Sequence, residues 1–262
     1  MRGAPRFRGA VPQVRARPLP GPGRPARAAA AHPAGVVRGV KWLTRGGAAG
    51  ALAVGAAVTW GLGWRGLMLL LAFFVSGSVL TQLAGGEGGQ RNLRQVIANG
   101  GVAAAAALWG RWSIAAAALA AATADTWATE IGAFSPTPPR LLTTGRQAPK
   151  GTSGAMSVLG TVGGVVGAWA IALLAWALEP RAIGKGAAGV IANAGVVGML
   201  VDSLLGATVQ GVYECPQCAA RSERRDTVCH QPVRLIRGWR WLDNDAVNFA
   251  ATLAGAAVGA LA

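Results

Sequence analysis

From residue 46 onward, the chain alternates between long apolar stretches and short polar loops. These stretches do not alternate polar and apolar positions as the strands of a membrane barrel do. A helix crosses the hydrocarbon core with about 20 mostly apolar residues and satisfies its own backbone hydrogen bonds. The pattern therefore predicts an all-α, polytopic transmembrane helix bundle of about seven helices. The predicted spans are 46–62, 66–83, 95–110, 112–133, 154–178, 187–212 and 246–262.

Residues 1–40 have a different character, because they are rich in Arg, Pro, Ala and Gly. So many prolines are incompatible with a regular helix or strand. The region also lacks the apolar core of a cleavable signal peptide. We interpret residues 1–40 as a disordered basic tail and residues 41–262 as an integral membrane domain, with a cytoplasmic Cys-containing loop at 213–243.

Composition and charge agree with a membrane location. Charged residues make up 13% of the chain, whereas soluble domains contain about 25%. The net charge of +15 would suggest nucleic acid in a soluble protein. If the N-terminus is cytoplasmic, however, 21 of the 25 Lys and Arg residues fall in the predicted cytoplasmic segments. This bias predicts a multi-pass cell membrane protein with a cytoplasmic N-terminus, membrane lipid contacts and no nucleic-acid partner. It also favours phosphorylated ligands.

Only ten residues are acidic, so their positions are informative. Asp125, Glu130 and Asp202 fall within or at the edge of apolar stretches, and Asp243 and Asp245 lie at the start of the last one. A carboxylate in hydrocarbon is costly and usually lines a polar cavity or pathway. We therefore expect these carboxylates near the cytoplasmic ends of their helices.

The segment ATADTWATEIGAF carries a candidate metal site. Asp125 and Thr129 are four residues apart, as are Thr126 and Glu130, so they form adjacent rows on one helix. Carboxylates and hydroxyls suit Mg²⁺, which often bridges to substrate phosphates. We predict Mg²⁺ ligands at Asp125 and Glu130, with Asp202 contributed by another helix. An interhelical polar clamp is the alternative.

A Gly-rich loop before the fifth predicted span is a candidate phosphate site. Its glycines let backbone N–H groups approach an anion, and the following helix adds its dipole. The spacing of a P-loop is absent, and an N-cap with a flexible turn is the ordinary explanation. Because the loop follows a carboxylate-bearing helix on the same membrane face, we predict phosphate binding by Arg146, Lys150, Gly151, Thr152, Ser153 and Gly154.

Two further polar sets lie on the same predicted face. Asn244, Asp245 and Asn248 share one side of the last helix and are predicted to belong to the substrate site. The loop 87–92, with Asn99 beyond it, is the second set. The nearby Trp239 and Trp241 fit the ordinary role of an interfacial aromatic anchor.

The three cysteines lie within residues 215–229, which indicates a local cluster rather than a disulfide framework. Cys215 and Cys218 form a C-x-x-C clip, followed by Cys229 and His230, and the set resembles half of a zinc knuckle. The motif indicates either a structural Zn²⁺ site or free thiols in a loop. We do not expect a catalytic role for these cysteines.

Five motifs in order resemble the domain-of-unknown-function-92 family of integral membrane proteins. They are GGQRNLRQVIANGG, ADTWATEIG, PKGTSGAMSVLGTVGG, VDSLLGATVQ and CPQC…RLIRGWRWLDNDAVNF. The resemblance covers roughly residues 43–262, in a family that includes the plant phytyl-phosphate kinase and the animal transmembrane protein 19. Carried over residue by residue, it points to Asp125, Thr126, Glu130, Lys150, Thr152, Ser153, Asp202, Asn244 and Asp245.

The resemblance implies a prenyl- or phytyl-phosphate kinase: a membrane enzyme that phosphorylates an isoprenoid monophosphate, such as phytyl or geranylgeranyl phosphate. A nucleoside triphosphate would be the donor, and CTP is the donor in similar polyprenol and phytol kinases. Asp125, Glu130, Lys150 and Asp202 would then carry the chemistry. Two alternatives remain open at this point. One is a CTP-dependent cytidylyltransferase acting on a lipid phosphate, and the other is an ion-coupled transporter that uses the carboxylates as a relay.

Overall fold

The computed structural model describes residues 42–85, 90–182, 184, 186–218, 221–223 and 232–262. The predicted tail at 1–40 lies outside the described residues. The helices are α1 (Arg45–Leu83), α2 (Leu93–Leu108), α3 (Trp112–Ala133), α4 (Val158–Leu178), α5 (Ala187–Thr208) and α6 (Asn244–Gly259). The predicted helix bundle is thereby confirmed. Within the described ranges, α1, α4 and α5 are long and apolar enough to cross a membrane.

Helix α1 is a helical hairpin that turns at Gly63. Gly63 has a φ of +66°, which favours glycine, and its ψ of −165° breaks the helix. Residues twelve apart in a straight helix are separated by about 18 Å. A Cβ atom on Gly55 would nevertheless lie 4.0 Å from Cδ1 of Leu67. The two halves of α1 therefore run antiparallel, match the predicted spans 46–62 and 66–83, and give seven helical segments among the described residues.

Helix α3 lies at the centre of the bundle and packs against all the other helices. Seven of its first eleven residues are alanine, and residues 115–124 are buried. Small side chains let neighbouring backbones approach closely. A Cβ on Gly164 of α4 would lie 2.8 Å from the carbonyl oxygen of Ala124, and one on Gly198 of α5 would lie 2.4 Å from Cβ of Ala121. Close packing on α3 therefore depends on these glycines.

The remaining helices surround α3 in the order α1, α2, α6, α5, α4. Neighbours along this order pack extensively, whereas α4 and α1 touch only sparsely. Trp127 of α3 fills part of this seam, because its Nε1 donates to Ser76 Oγ of α1 at 3.2 Å. Its ring also lies against Gly167 of α4. The seam between α1 and α4 is thus the loosest contact in the ring.

Two small sheets shorten the predicted spans. β1 (Arg140–Leu141) pairs antiparallel with β2 (Ala155–Met156), so α4 starts at Val158 rather than at 154. α5 ends at Thr208 because the chain continues into β3 (Val212–Glu214), which lies between β4 (Arg221–Ser222) and β5 (Arg234–Arg237). Neither sheet was predicted from the sequence. The bundle end that carries residues 134–157, 209–218 and 232–243 is called the loop end below.

Candidate active site

A polar cavity of about 550 Å³ opens at the loop end. All six helices, the Gly-rich loop, strand β2 and Glu223, which directly follows β4, contribute to its wall. Its polar lining residues are Thr81, Arg91, Gln95, Asn99, Asp125, Thr126, Thr129, Glu130, Lys150, Thr152, Ser153, Ser157, Thr161, Asp202, Ser203, Glu223, Asn244 and Asn248. Predicted site residues from four separate parts of the sequence therefore meet in one cavity.

Asp125 of α3 and Asp202 of α5 form a pair of neighbouring carboxylates. The two groups interact electrostatically, and their like charges oppose each other. Among the described residues, Oδ2 of Asp202 is buried without a hydrogen-bond partner. A buried carboxylate oxygen without a partner is costly, and a cation would compensate for it. The pair is therefore a suitable place for a hard divalent cation.

Glu130 belongs to a different part of the wall, on the α1 side. Thr81 of α1 donates to Oε1 of Glu130 at 2.6 Å. The guanidinium of Arg91 is close enough to Glu130 for an electrostatic attraction. Burial lowers the pKa of Arg91 from its usual value, and Glu130 opposes this shift. The three predicted carboxylates thus separate into an Asp125–Asp202 pair and a Glu130 that is already partnered.

The Gly-rich loop docks onto two helix ends. Lys150 Nζ donates to the carbonyl oxygen of Ala133, at the end of α3, at 2.8 Å. Ser153 Oγ donates to Oε1 of Gln210 at 2.7 Å. Gly154 has a φ of +75°, and a Cβ there would lie 2.2 Å from the backbone nitrogen of Ala207 in α5. The loop is therefore held by contacts at both its start and its end, with its residues 150–154 lining the cavity.

Gln210 and Glu223 join the second sheet to this loop. Gln210 is fully buried, and its Nε2 donates to Oε2 of Glu223 at 2.9 Å. Burial raises the pKa of Glu223, while hydrogen bonds from Ser153 and Gln210 oppose that shift. Arg237 of β5 attaches the same sheet to α5, because Nη2 donates to the carbonyl oxygen of Gly206 at 2.7 Å. Sheet, loop and α5 thus form one connected wall.

Helix α6 contributes two of its three predicted residues. Asn244 and Asn248 line the cavity, four residues apart on one face. Asp245 is turned about 100° away from Asn244. Its Oδ2 lies 3.7 Å from Nε of Arg94, and Asp245 does not line the cavity.

Arg146 also does not line the cavity. It lies, exposed, in the turn that follows β1. Its backbone is engaged in that turn, since its carbonyl oxygen accepts a hydrogen bond from Leu141 N at 2.9 Å. Arg146 and Asp245 were both predicted to belong to the site, but neither lines the cavity. Lys150 is the loop residue whose positive charge lies at the cavity wall.

The sequence matches the family described as integral membrane protein DUF92 over residues 29–256. The chain belongs to this family. This DUF92 protein is 31% identical to an uncharacterized membrane protein of Methanocaldococcus jannaschii, over 86% of this chain and 88% of the relative. It is 32% identical to Protein PGR of Arabidopsis thaliana, over 73% of this chain and 79% of that protein. It is 29% identical to an uncharacterized membrane protein of Synechocystis, over 83% and 81%. No solved structure gives a significant match.

The cysteine motif of this DUF92 protein is described only in its first half. Cys215 is buried beside Tyr213 in the core of the second sheet, and Cys218 is exposed in the following turn. Cys229 and His230 lie outside the described residues, so the Zn²⁺ site stays a prediction. Within the described ranges, no group of three or more His, Cys, Asp and Glu side chains is placed to hold a metal ion by itself.

The cavity also contains residues that sequence reasoning did not assign to the site. Glu223 directly follows β4 and belongs to none of the motifs that indicated the site, so no local signal could have found it. Thr81 lies in an apolar stretch with no acidic or basic neighbour. Arg91 was recognisable only as part of a polar loop. These residues enter this DUF92 site through contacts between elements distant in sequence.

Proposed function

We propose that this protein is an integral membrane kinase that transfers a phosphoryl group from a nucleoside triphosphate to an isoprenoid monophosphate. CTP is the favoured donor, and phytyl or geranylgeranyl phosphate is the favoured acceptor. The observation that supports the proposal is that the Asp125–Asp202 pair, Lys150 and the Gly-rich loop all line one cavity. The cavity lies at one end of a bundle of Ala- and Gly-rich helices, a position that suits a phosphate whose lipid chain stays in the membrane.

The residues present fit a magnesium ion. Asp125 and Asp202 offer carboxylate oxygens, and one oxygen of Asp202 has no partner among the described residues. Mg²⁺ is usually held in proteins by one or two carboxylates, with water and substrate phosphates completing its shell. When bound, Mg²⁺ supplies positive charge to the phosphate oxygens of the nucleotide. A site of three or more protein carboxylates is therefore not required.

The chain's own residues would act mainly by position and charge. Lys150 uses one of its donors on Ala133 and keeps its ammonium group at the cavity wall. Its charge and the backbone N–H groups of the loop stabilise the phosphates of the donor. Thr152, in the loop, also lines the cavity and offers a hydroxyl donor.

The proposed transfer needs no strong base, because the acceptor is already an anion. An oxygen of the lipid phosphate forms a bond to the γ-phosphorus of the nucleotide. The bond from that phosphorus to the β–γ bridging oxygen breaks, and its electron pair leaves with the nucleoside diphosphate. Such a reaction depends on positioning and electrostatic stabilisation. Neither histidine of the chain, His32 or His230, is among the described residues, and no step is assigned to them.

The test uses purified protein in lipid nanodiscs with Mg²⁺, geranylgeranyl monophosphate and CTP labelled at either the α- or the γ-phosphate. Kinase activity places the γ label in a lipid diphosphate. Transfer of the α label would instead identify a cytidylyltransferase and overturn the kinase proposal. Lys150→Gln is expected to lose activity, whereas Glu179→Gln, at the opposite end of the bundle, should retain it. The absence of any Mg²⁺-dependent product from a panel of nucleotides and prenyl phosphates would also refute the proposal.

A further inference from the structure

The cavity has a second cation, Arg91, which is held by elements other than those that hold the Gly-rich loop. Lys150 and the loop rest on α3 and α5. Arg91 precedes α2, and its guanidinium lies against α1, since a Cβ on Gly77 would lie 3.1 Å from Nη2. Both cations line the same cavity. One cavity therefore offers two separate positions for an anion.

The backbone and side chain of Arg91 are held firmly in place. Its N–H donates to the carbonyl oxygen of Trp42 at 3.0 Å, and its own carbonyl oxygen accepts from Thr44 N at 3.2 Å. Its Cζ lies 5.5 Å from the ring centre of Phe74 and 6.0 Å from that of Phe73. An arginine packed against aromatic rings is preorganised, so it loses little entropy when it binds an oxyanion.

The charge of Arg91 is only partly balanced in the cavity. Glu130 attracts it, but Oε1 of Glu130 already accepts a hydrogen bond from Thr81. A guanidinium carries five N–H donors in a planar fork that matches two oxygens of a phosphate. A phosphate beside Arg91 would therefore find both charge and directed donors.

The position of Arg91 favours a lipid phosphate over the nucleotide. Glu130 and Thr81 lie on the contact between α3 and α1, and Trp127 lies one turn deeper on α3. Trp127 marks the seam between α1 and α4, the loosest contact in the helix ring. A lipid must keep its chain in hydrocarbon while its phosphate enters the cavity. A phosphate beside Arg91 would lie near this seam, which would place the lipid chain next to it.

From these observations we propose that Arg91 binds the phosphate of the lipid acceptor, separately from the nucleotide position at Lys150 and the Gly-rich loop. The inference rests on the proposed function for the identity of the acceptor, and it concerns a residue to which that function assigned no role. Arg91 and Lys150 then hold two phosphate groups at different parts of the cavity wall. This separation keeps two mutually repelling anions in defined places.

The experiment measures equilibrium binding of tritiated geranylgeranyl monophosphate to the full chain in nanodiscs without nucleotide, and CTP binding in parallel. Arg91→Gln is expected to weaken monophosphate binding roughly ten- to hundredfold. CTP binding by the same variant should change less than about threefold. Arg94→Gln is the matched control, because Arg94 follows three residues later but pairs with Asp243 at 2.7 Å, outside the cavity. It should bind both ligands like the wild type.

A double variant distinguishes direct binding of the phosphate by Arg91 from neutralisation of Glu130 by Arg91. If Arg91 only neutralises Glu130, adding Glu130→Gln to Arg91→Gln should restore monophosphate binding, and that result would overturn the inference. Persistent loss of binding supports it. Arg91→Lys serves where the glutamine variant does not fold: it keeps the charge but lacks the two-pronged donor set, so weaker binding is expected.

The same measurements distinguish this inference from the kinase proposal. If the wild type binds the monophosphate through Arg91 but forms no diphosphate with any nucleotide, the kinase fails and the Arg91 site stands. If the wild type does not bind the monophosphate, or if Arg91→Gln loses CTP and keeps the lipid, the Arg91 assignment is wrong. Equal losses in the Arg91→Gln and Arg94→Gln variants would also overturn it.

Discussion

Two glycines of the Gly-rich loop allow the effect of its backbone conformation to be measured separately from the effect of its contact with α5. Gly151 and Gly154 both have a left-handed backbone, with φ of +80° and +75°. A Cβ on Gly151 meets nothing within 4 Å. A Cβ on Gly154 would lie 2.2 Å from N and 2.5 Å from Cα of Ala207, in the last turn of α5. Alanine at either position has the same conformational penalty, but only Gly154→Ala forces the loop away from the helix.

The expected magnitudes follow from these contacts. A left-handed backbone costs a residue with a Cβ about 1–2 kcal/mol, so Gly151→Ala should lower the free energy of unfolding by that amount. Gly154→Ala adds an overpacking cost of about 1–3 kcal/mol, because helix backbone atoms cannot move aside. Displacement of the loop should also break the Ser153–Gln210 hydrogen bond and weaken CTP binding.

The assay is thermal unfolding in detergent, followed by tryptophan fluorescence, together with CTP binding for each variant. Gly154→Ala should unfold at a clearly lower temperature than Gly151→Ala and bind CTP more weakly. Equal unfolding temperatures for the two variants would refute the conclusion that the loop is seated on α5. Equal CTP affinities, with the expected difference in stability, would show that seating of the loop does not shape the nucleotide position.

Three further predictions concern charges. Asp202→Asn should raise the Mg²⁺ concentration needed for half-maximal CTP binding roughly tenfold or more. It should also stabilise the metal-free protein, because one of two repelling carboxylates is neutralised. An unchanged Mg²⁺ titration would contradict the metal assignment. Because burial raises the pKa of Glu223, the native state keeps its proton after the unfolded chain has lost it. The free energy of unfolding of the wild type, relative to that of Glu223→Gln, should therefore fall as the pH rises from about 4.3 towards the raised pKa. The slope is at most about 1.4 kcal/mol per pH unit. Unfolding temperatures of the two proteins that change with pH in parallel would argue against this. Removal of the Arg65–Glu179 ion pair by Glu179→Gln should change the free energy of unfolding by less than about 1 kcal/mol, since the pair is partly exposed. A larger loss of stability in thermal unfolding would mean that the pair stabilises the end of the bundle opposite the cavity.

Two site elements were predictable from local spacing. Asp125, Thr126 and Glu130 meet at one cavity because helical periodicity places them on neighbouring rows of α3. Asn244 and Asn248 share a cavity wall for the same reason. Local spacing gave the wrong position for Asp245. Residues next to each other in a helix point about 100° apart, so Asp245 is turned away from Asn244 and lies beside Arg94 instead.

The sequence by itself determined the helix bundle, the approximate place of each span and the end of the bundle at which polar chemistry gathers. It could do so because the length of an apolar run and the rarity of buried charge are local properties of the chain. Only the tertiary structure decided that Asp202 neighbours Asp125, that Glu130 is partnered by Thr81 and Arg91, and that Glu223 reaches the Gly-rich loop through Gln210. Each of those pairings joins residues far apart in sequence, and their proximity depends on which helices pack against α3. That packing is set by the shapes of small residues on all faces of the bundle at once, and no single segment encodes it.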